Sequence, residues 1–391
     1  MTSLIYLDNS STARPSDKVI NSMTPYWTTH WGLPLSPHQK GQELFPPLMQ
    51  YYKMLYAFIG AQESDQVILT SSGAEAVNHV VSSVYRNVTM STGKNHFLAS
   101  QTDEAPAIMA MSHLEPFGAL SQTIEVNSQG IVTQEALADA LSPRTALVSC
   151  SWANGLTGVV QPVLEIAELC RKRGVLFHLE ATHVMGKIFY ELEEIKPDFL
   201  TFNGDQLHGP RGTGILYIKG GTRYSPLLFG SADQGGMRAG GLNMPGLAGL
   251  AAAADEALDH RDLLCTEIAR LRNKLEKGII KGFPKATIPF KTQERLPHCT
   301  TLIFPGINNE ALLFMLNRRG LCASIGGGNF QQLALILSFS GIEKTLAQSA
   351  VGFSLSRYTT EEEIDRAVPI IVESAQMLAR LSDNLFLKKD L

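Results

Sequence analysis

The stretch Thr201-Phe-Asn-Gly-Asp-Gln-Leu-His-Gly-Pro-Arg-Gly-Thr-Gly-Ile-Leu-Tyr217 sets the frame for the whole chain. An apolar run, Phe199-Leu-Thr-Phe202, leads into it, and a second, Gly214-Ile-Leu-Tyr-Ile218, leads out. Short runs of this kind, bounded by glycine and proline, read as strands. Between them Gly209-Pro-Arg-Gly212 imposes a turn. Asn203, Asp205, Gln206 and His208 therefore sit just past the end of the first strand, and no lysine is among them.

The same organisation repeats on either side. Gln66-Val-Ile-Leu-Thr70, Thr145-Ala-Leu-Val-Ser-Cys150 and Val175-Leu-Phe-His-Leu179 read as further strands. Helical patterns alternate with them: one starts at Gly73, and another, Val163 to Arg173, stops at Gly174. This alternation predicts an α/β fold whose large domain has a mostly parallel central sheet flanked by helices. After the alanine-rich helix Gly249–Leu258 the composition shifts to charged helices and a short β region that includes Thr300–Phe304. The expected division is a large domain over residues 15–260 and a smaller α+β domain built from residues 1–14 and 261–391. Within the latter, Thr359-Thr-Glu-Glu-Glu-Ile-Asp365 has the hydroxyl and carboxylates of a capped helix start.

Composition narrows the function classes. The chain has 391 residues, 44% hydrophobic and 18% charged, with a formal net charge of −4. That balance gives no electrostatic reason to expect nucleic acid or an anionic membrane as partner. The apolar run Leu247–Ala254 is too short to span a bilayer. The N-terminus shows no basic region or cleavage pattern, and the five cysteines form no CxxC pair and no metal-ligand spacing. A reduced, cytoplasmic setting with no bound metal is expected.

Several motifs, in order and spacing, resemble those of the cysteine desulfurases of the class V aminotransferase group. Tyr6-Leu-Asp-Asn-Ser10 is similar to Y-L-D-x-[AS], and Leu69-Thr-Ser-Ser-Gly-Ala-Glu-Ala-Val-Asn78 to F-T-S-G-[AG]-T-E-x-x-N. Trp152-Ala-Asn-Gly-Leu-Thr-Gly-Val-Val-Gln161 resembles H-x-N-N-E-x-G-x-x-Q, and His178-Leu-Glu-Ala-Thr-His-Val-Met-Gly-Lys187 resembles H-x-D-A-x-Q-x-x-G-K. Met237-Arg-Ala-Gly-Gly-Leu242 and Phe353 to Asp365 continue the series. The opening stretch itself resembles S-G-H-K-x-x-G-P-K-G-x-G-x-L-Y. The resemblance implies a fold-type-I transferase dependent on pyridoxal phosphate (PLP), and a homodimer in which each pocket borrows residues from the partner. Fold alone does not fix function.

Position by position, the residues that carry the family's chemistry differ. The lysine that the resemblance places in the Schiff base is Gln206, whose amide cannot form an imine. The ring-stacking histidine falls at Glu104, the persulfide-forming cysteine at Asn329, and the carboxylate-binding arginine at Gly352. The aspartate facing the pyridinium nitrogen becomes Glu180, and the glutamine reaching the ring hydroxyl becomes His183. Around the phosphate, Ala74, Asn203 and Gly241 replace hydroxyl residues and Asp205 replaces a histidine. Two unit charges about 4 Å apart repel by roughly 4 kcal/mol at an effective dielectric near 20, so Asp205 opposes a phosphate. Ser72 and Gly73 still open a helix whose first N–H groups are expected to point outward for an anion, and Asn154 keeps the family residue.

The expectation is a catalytically inactive homologue, retained as a binding or regulatory protein with no covalently bound cofactor. Its suggested partners are an active cysteine desulfurase or an iron–sulfur or sulfur-transfer protein. Two alternatives stay open. One is an enzyme holding PLP or pyridoxamine phosphate non-covalently, with His183 or His208 as base. The other is a cysteine desulfurase acting on L-cysteine through unorthodox residues. Glu104, Glu180 and Asp205 are expected to converge on one cleft, or else to pair with Arg211 or Arg238. Cys322 reads as a small core residue, Gly326–Gly328 as a loop, and Tyr26, Trp27 and Trp31 as core or interface aromatics.

Overall fold

The computed structural model describes residues 4–327 and 331–387. Its strands, in chain order, are β1 (Ile5–Tyr6), β2 (Gln66–Thr70), β3 (His96–Ser100), β4 (Leu120–Ile124), β5 (Thr145–Ser151), β6 (Leu176–Glu180), β7 (Phe199–Asn203) and β8 (Gly214–Ile218). There follow β9 (Cys299–Ile303), β10 (Leu321–Cys322), β11 (Gly326–Gly327), β12 (Gln331–Gln332) and β13 (Ala350–Ser354). Seven of them form one sheet in the order β2-β8-β7-β6-β5-β3-β4. β3, β5 and β8 are buried along their whole length because helices cover both faces of the sheet.

The sheet departs from full parallelism at one edge. β8 runs antiparallel to both β7 and β2, because the short Gly209–Gly212 turn returns the chain directly beside β7. β3, β4, β5, β6 and β7 are mutually parallel. The carboxyl ends of β2, β3, β5, β6 and β7 therefore open on one edge, the usual ligand edge of such sheets.

The capping signals act as read from the residues. Ser72 accepts from the Glu75 N–H at the start of helix Gly73–Val84, and Gly174 terminates helix Val163–Arg173 at φ 61°. Thr360 and Glu363 cap each other reciprocally before helix Glu361–Leu387. The alanine-rich helix is longer than expected, Met244–Leu263, and its small side chains pack under the sheet. A second apolar core joins Ile5 and Leu7 to residues from Leu264 to Ala375, with β9 and β13 paired antiparallel. Among the described residues no helix is long and apolar enough to cross a membrane.

Several expectations change. Gly326–Gly327 pairs with Gln331–Gln332 instead of forming a free loop. Cys322, expected in the core, ends the two-residue strand β10 and is only half-buried. Tyr26 is buried and hydrogen-bonds Tyr51, whereas Trp27 and Trp31 are exposed on this chain.

Candidate functional site

A cavity of about 270 Å³ opens at the carboxyl edge of the sheet. Thr102, Asp103 and Glu104 follow β3, Asn154 and Gly155 follow β5, and Thr182 and His183 follow β6. Asn203 ends β7 and Asp205 and Gln206 follow it, with Ser10, Ser11, Gly326 and Gly327 closing the other side. Glu104 and Asp205, two of the three carboxylates expected to converge, thus line one chamber with His183, Asn154, Asn203 and Gln206. Glu180, Ser72, Gly73 and Ala74 line an adjoining recess of about 90 Å³, which shares Glu104, Thr182 and Asn203 with the main chamber.

Gln206 sits on the single turn Asp205–Leu207 and is 5% exposed. Its Nε2 donates to the Ser11 carbonyl at 3.1 Å, while its Oε1 has no partner. Beside it Asp205 accepts from Thr12 Oγ1 at 3.5 Å. Burial raises the Asp205 carboxyl above its ordinary value, and Arg211 offsets this in part.

The helix start expected to offer free N–H groups is already engaged in part from within the chain. Asn203 Oδ1 takes the Gly73 N–H at 2.5 Å, Ser72 takes that of Glu75, and the Glu75 carboxylate takes that of Ser71. Arg238 does not meet the chamber acids; it forms a two-point pair with Glu75. The reason is local: Glu75 lies in the first turn of the helix, where its charge complements the N-terminus and its oxygens face Arg238.

Across the chamber, His183 Nε2 lies 2.6 Å from Glu104 Oε1. The imidazole fills the space over Gly155, where an added Cβ would come within 2.3 Å of the ring. Glu180 accepts from the Thr182 N–H with Oε1, and its Oε2 has no partner. Burial first, and then the Glu104 charge, push the Glu180 carboxyl up to about 7. Asp103, fully buried, is pushed up to about 8, although its oxygens accept the Ser151 and Ser100 N–H groups. Asn154 braces its own loop, accepting from Leu156 and Thr157 and donating to the Thr102 carbonyl.

Two of the expected positions lie elsewhere. His208 faces away from the chamber: its Nδ1 bonds the Arg14 carbonyl, and burial with Arg357 nearby pulls it down to about 4. Gly352 lies within β13 opposite Thr301. Asn329 falls outside the described residues. Among the described residues, no group of three or more His, Cys, Asp or Glu could hold a metal.

Residue-type reasoning passed over one group. Behind Gln206 a small cavity of about 30 Å³ has Lys187, His208, His298 and Arg357 in its lining. Lys187 Nζ has no partner there, nor has either nitrogen of His298. Burial draws the Lys187 ammonium down to about 8 and pulls His298 well below its usual value. The only sequence signal for Lys187 is its place at the end of the motif His178–Lys187. Gln206 is the wall between the two cavities, since it lines both.

Residues 5–367 match the aminotransferase class-V family model. The chain belongs to that family, in its cysteine desulfurase branch. It is 34% identical over 384 residues to a cysteine desulfurase of Nostoc sp., covering 97% of this chain and 95% of that one. It is 33% identical over 378 residues to the cysteine desulfurase NifS of Azotobacter vinelandii, covering 94% and 93%. A solved NifS-like protein superposes with a TM-score of 0.89 at 28% identity, over 96% of this chain and all of that one. Another, from Rickettsia africae, shares the fold at a TM-score of 0.84 and 23% identity. The architecture is accordingly that of the fold-type-I PLP-dependent transferases.

Proposed function

We propose that this family member keeps the scaffold of a cysteine desulfurase without its imine chemistry, and acts as a binding or regulatory homologue. The observation that carries the reading is Gln206: a buried amide, tied to the Ser11 carbonyl, at the position that the resemblance assigns to the Schiff-base lysine.

PLP as an anchored group does not fit the residues present. Its phosphate would meet Asp205 and a helix start where Asn203 and Ser72 already take the Gly73 and Glu75 N–H groups. The side chains that the resemblance places above and beside its ring, Glu104 and His183, are bonded to each other. These losses support a role through contacts rather than turnover. An active desulfurase or an iron–sulfur or sulfur-transfer protein would be the partner, with this chain a homodimer. Non-covalent PLP or pyridoxamine phosphate with a histidine base has weaker support, because His183 is engaged by Glu104 and His208 turns away.

A second reading, desulfuration of L-cysteine by unorthodox residues, is favoured by the relatives, which are named as cysteine desulfurases. One residue supports it as well: Lys187, an unpartnered buried amine drawn down to about 8, stands behind the Gln206 wall. Incubation with PLP, borohydride reduction and peptide mass spectrometry separate the two. The proposed reading expects no modified lysine; a reduced adduct on Lys187 would establish the second.

A further inference from the structure

Helix Gly73–Val84 continues into the wide turn Tyr85–Thr89, and a polar stripe along both holds the chain that follows β8. Ser83 Oγ accepts the Ser225 N–H at 3.0 Å, Arg86 donates to the Pro226 carbonyl at 2.8 Å, and Asn87 accepts from the Ser225 hydroxyl. His79, fully buried, completes the stripe. Its Nδ1 accepts the Leu227 N–H at 3.1 Å and lies 2.6 Å from the Tyr224 hydroxyl. One turn earlier, Glu75 holds the far end of the same segment through its two-point pair with Arg238. Glu75 Oε1 is also 3.4 Å from His79 Nε2. Both ends of residues 224–238 therefore meet at one imidazole–carboxylate pair, while Phe229 between them is exposed.

A backbone N–H can only donate, so the Leu227 contact fixes Nδ1 as a lone pair and puts the ring proton on Nε2, facing Glu75. We propose that His79 is an acid-sensitive latch on residues 224–238. Histidine is the side chain whose charge ordinarily changes between about pH 5 and pH 8. A proton taken from solvent goes to Nδ1. The new N–H turns to the Tyr224 oxygen, and the Tyr224 hydroxyl rotates its own hydrogen to the Met237 carbonyl, 2.9 Å away. Leu227 N–H then faces a donor and loses its acceptor. At the other end the charged ring competes with Arg238 for Glu75. The ionisable groups facing the ring are Tyr224 from the segment and Glu75 from its own helix, with Arg238 beyond Glu75. Of the elements packed on this helix, helix Ala105–Ser112, β2 and β7 carry no ionisable side chain. Cys150 of β5 and Tyr217 of β8 belong to a different core cluster from that of the helix residues Val77 and Val80. The latch is independent of what position 206 can bind.

The test is hydrogen–deuterium exchange of the full chain between about pH 8 and about pH 5.5, corrected for the intrinsic pH dependence of exchange. Protection of the peptide containing Leu227 should fall about fivefold or more at the acid end, with helix Val163–Arg173 unchanged. His79→Gln should remove this pH dependence. Tyr224→Phe takes away the oxygen that receives the new N–H, so it should move the transition to lower pH. Circular dichroism confirms the fold of each variant. Equal protection at both ends, a fall of the same size in folded His79→Gln, or a fall spread over the whole chain overturns the proposal. Should His79→Gln fail to fold, an unmoved transition in Tyr224→Phe overturns it instead. PLP adduct formation, which tests the proposed function, has no bearing on any of these outcomes.

Discussion

His183 Nε2 and Glu104 Oε1 lie 2.6 Å apart across the mouth of the chamber, joining two loops 79 residues apart in sequence. One loop follows β6 and the other follows β3, so the contact exists only once the parallel sheet has formed. It closes the space between two positions that an aromatic cofactor would have to separate. Replacing Gln206 with lysine should therefore not restore cofactor binding by itself. Gln206→Lys is expected to take up PLP substoichiometrically, by absorbance after desalting. Adding Asn203→Ser, Asp205→His and Glu104→His to it should raise uptake several-fold. Full loading of the single variant would show that the pair and the occupied helix start are no obstacle.

The position of the His183 ring depends on Gly155 having no side chain. Gly155→Ala should cost about 1–3 kcal/mol by forcing the ring aside. In a His183→Ala background the same change should cost less than about 1 kcal/mol, because the obstructing ring is gone. Urea titrations of the four proteins give the coupling. Equal costs in both backgrounds would mean the two residues do not compete for the space.

Lys187 is a stability liability with a defined pH window. Its ordinary value is 10.5, and burial takes it to about 8 in the fold. Between these values the unfolded chain holds the proton and the folded chain does not, so stability rises with pH across this window. Below about pH 8 the penalty is constant at roughly 3 kcal/mol. Lys187→Met should thus raise the melting temperature at pH 7, and the gain should shrink toward pH 10. A gain independent of pH would assign it to packing instead.

The second core is pinned by Glu276, which is almost fully buried. Its Oε1 accepts from Arg295 Nη1 at 3.0 Å and from Thr300 Oγ1 at 2.6 Å, with Arg272 3.9 Å away. Glu276→Gln removes the only carboxylate in these contacts and leaves two guanidinium groups facing each other. A loss of about 3–5 kcal/mol in denaturant stability is expected. Since Glu276 lies outside both the chamber and the recess, any ligand affinity of the folded variant should stay unchanged.

The elements most legible in the residues are those set by local chemistry. The strand pair around Gly209–Gly212, the stop at Gly174 and the Thr360–Glu363 cap depend on neighbours a few positions away. Strand direction was less legible: β8 pairs antiparallel because a short turn leaves no length for a crossover, while its composition matches its parallel neighbours. β4 was passed over, since most of this edge strand is not buried and its residues, Leu-Ser-Gln-Thr-Ile, show no apolar run. Within the site, the motifs shared with the family implied that Glu104, Glu180 and Asp205 converge, and Glu104 and Asp205 line one chamber. The motifs gave no sign that Asn203 would take the Gly73 N–H 130 residues away, or that Arg238 would choose Glu75. Such pairings belong to the folded geometry.

Sulfide release from L-cysteine tests the central claim most directly. The full chain, supplied with excess PLP and a thiol reductant, should produce sulfide no faster than PLP alone. Release well above that background, and lost in Lys187→Met, would contradict the account and make Lys187 the working amine.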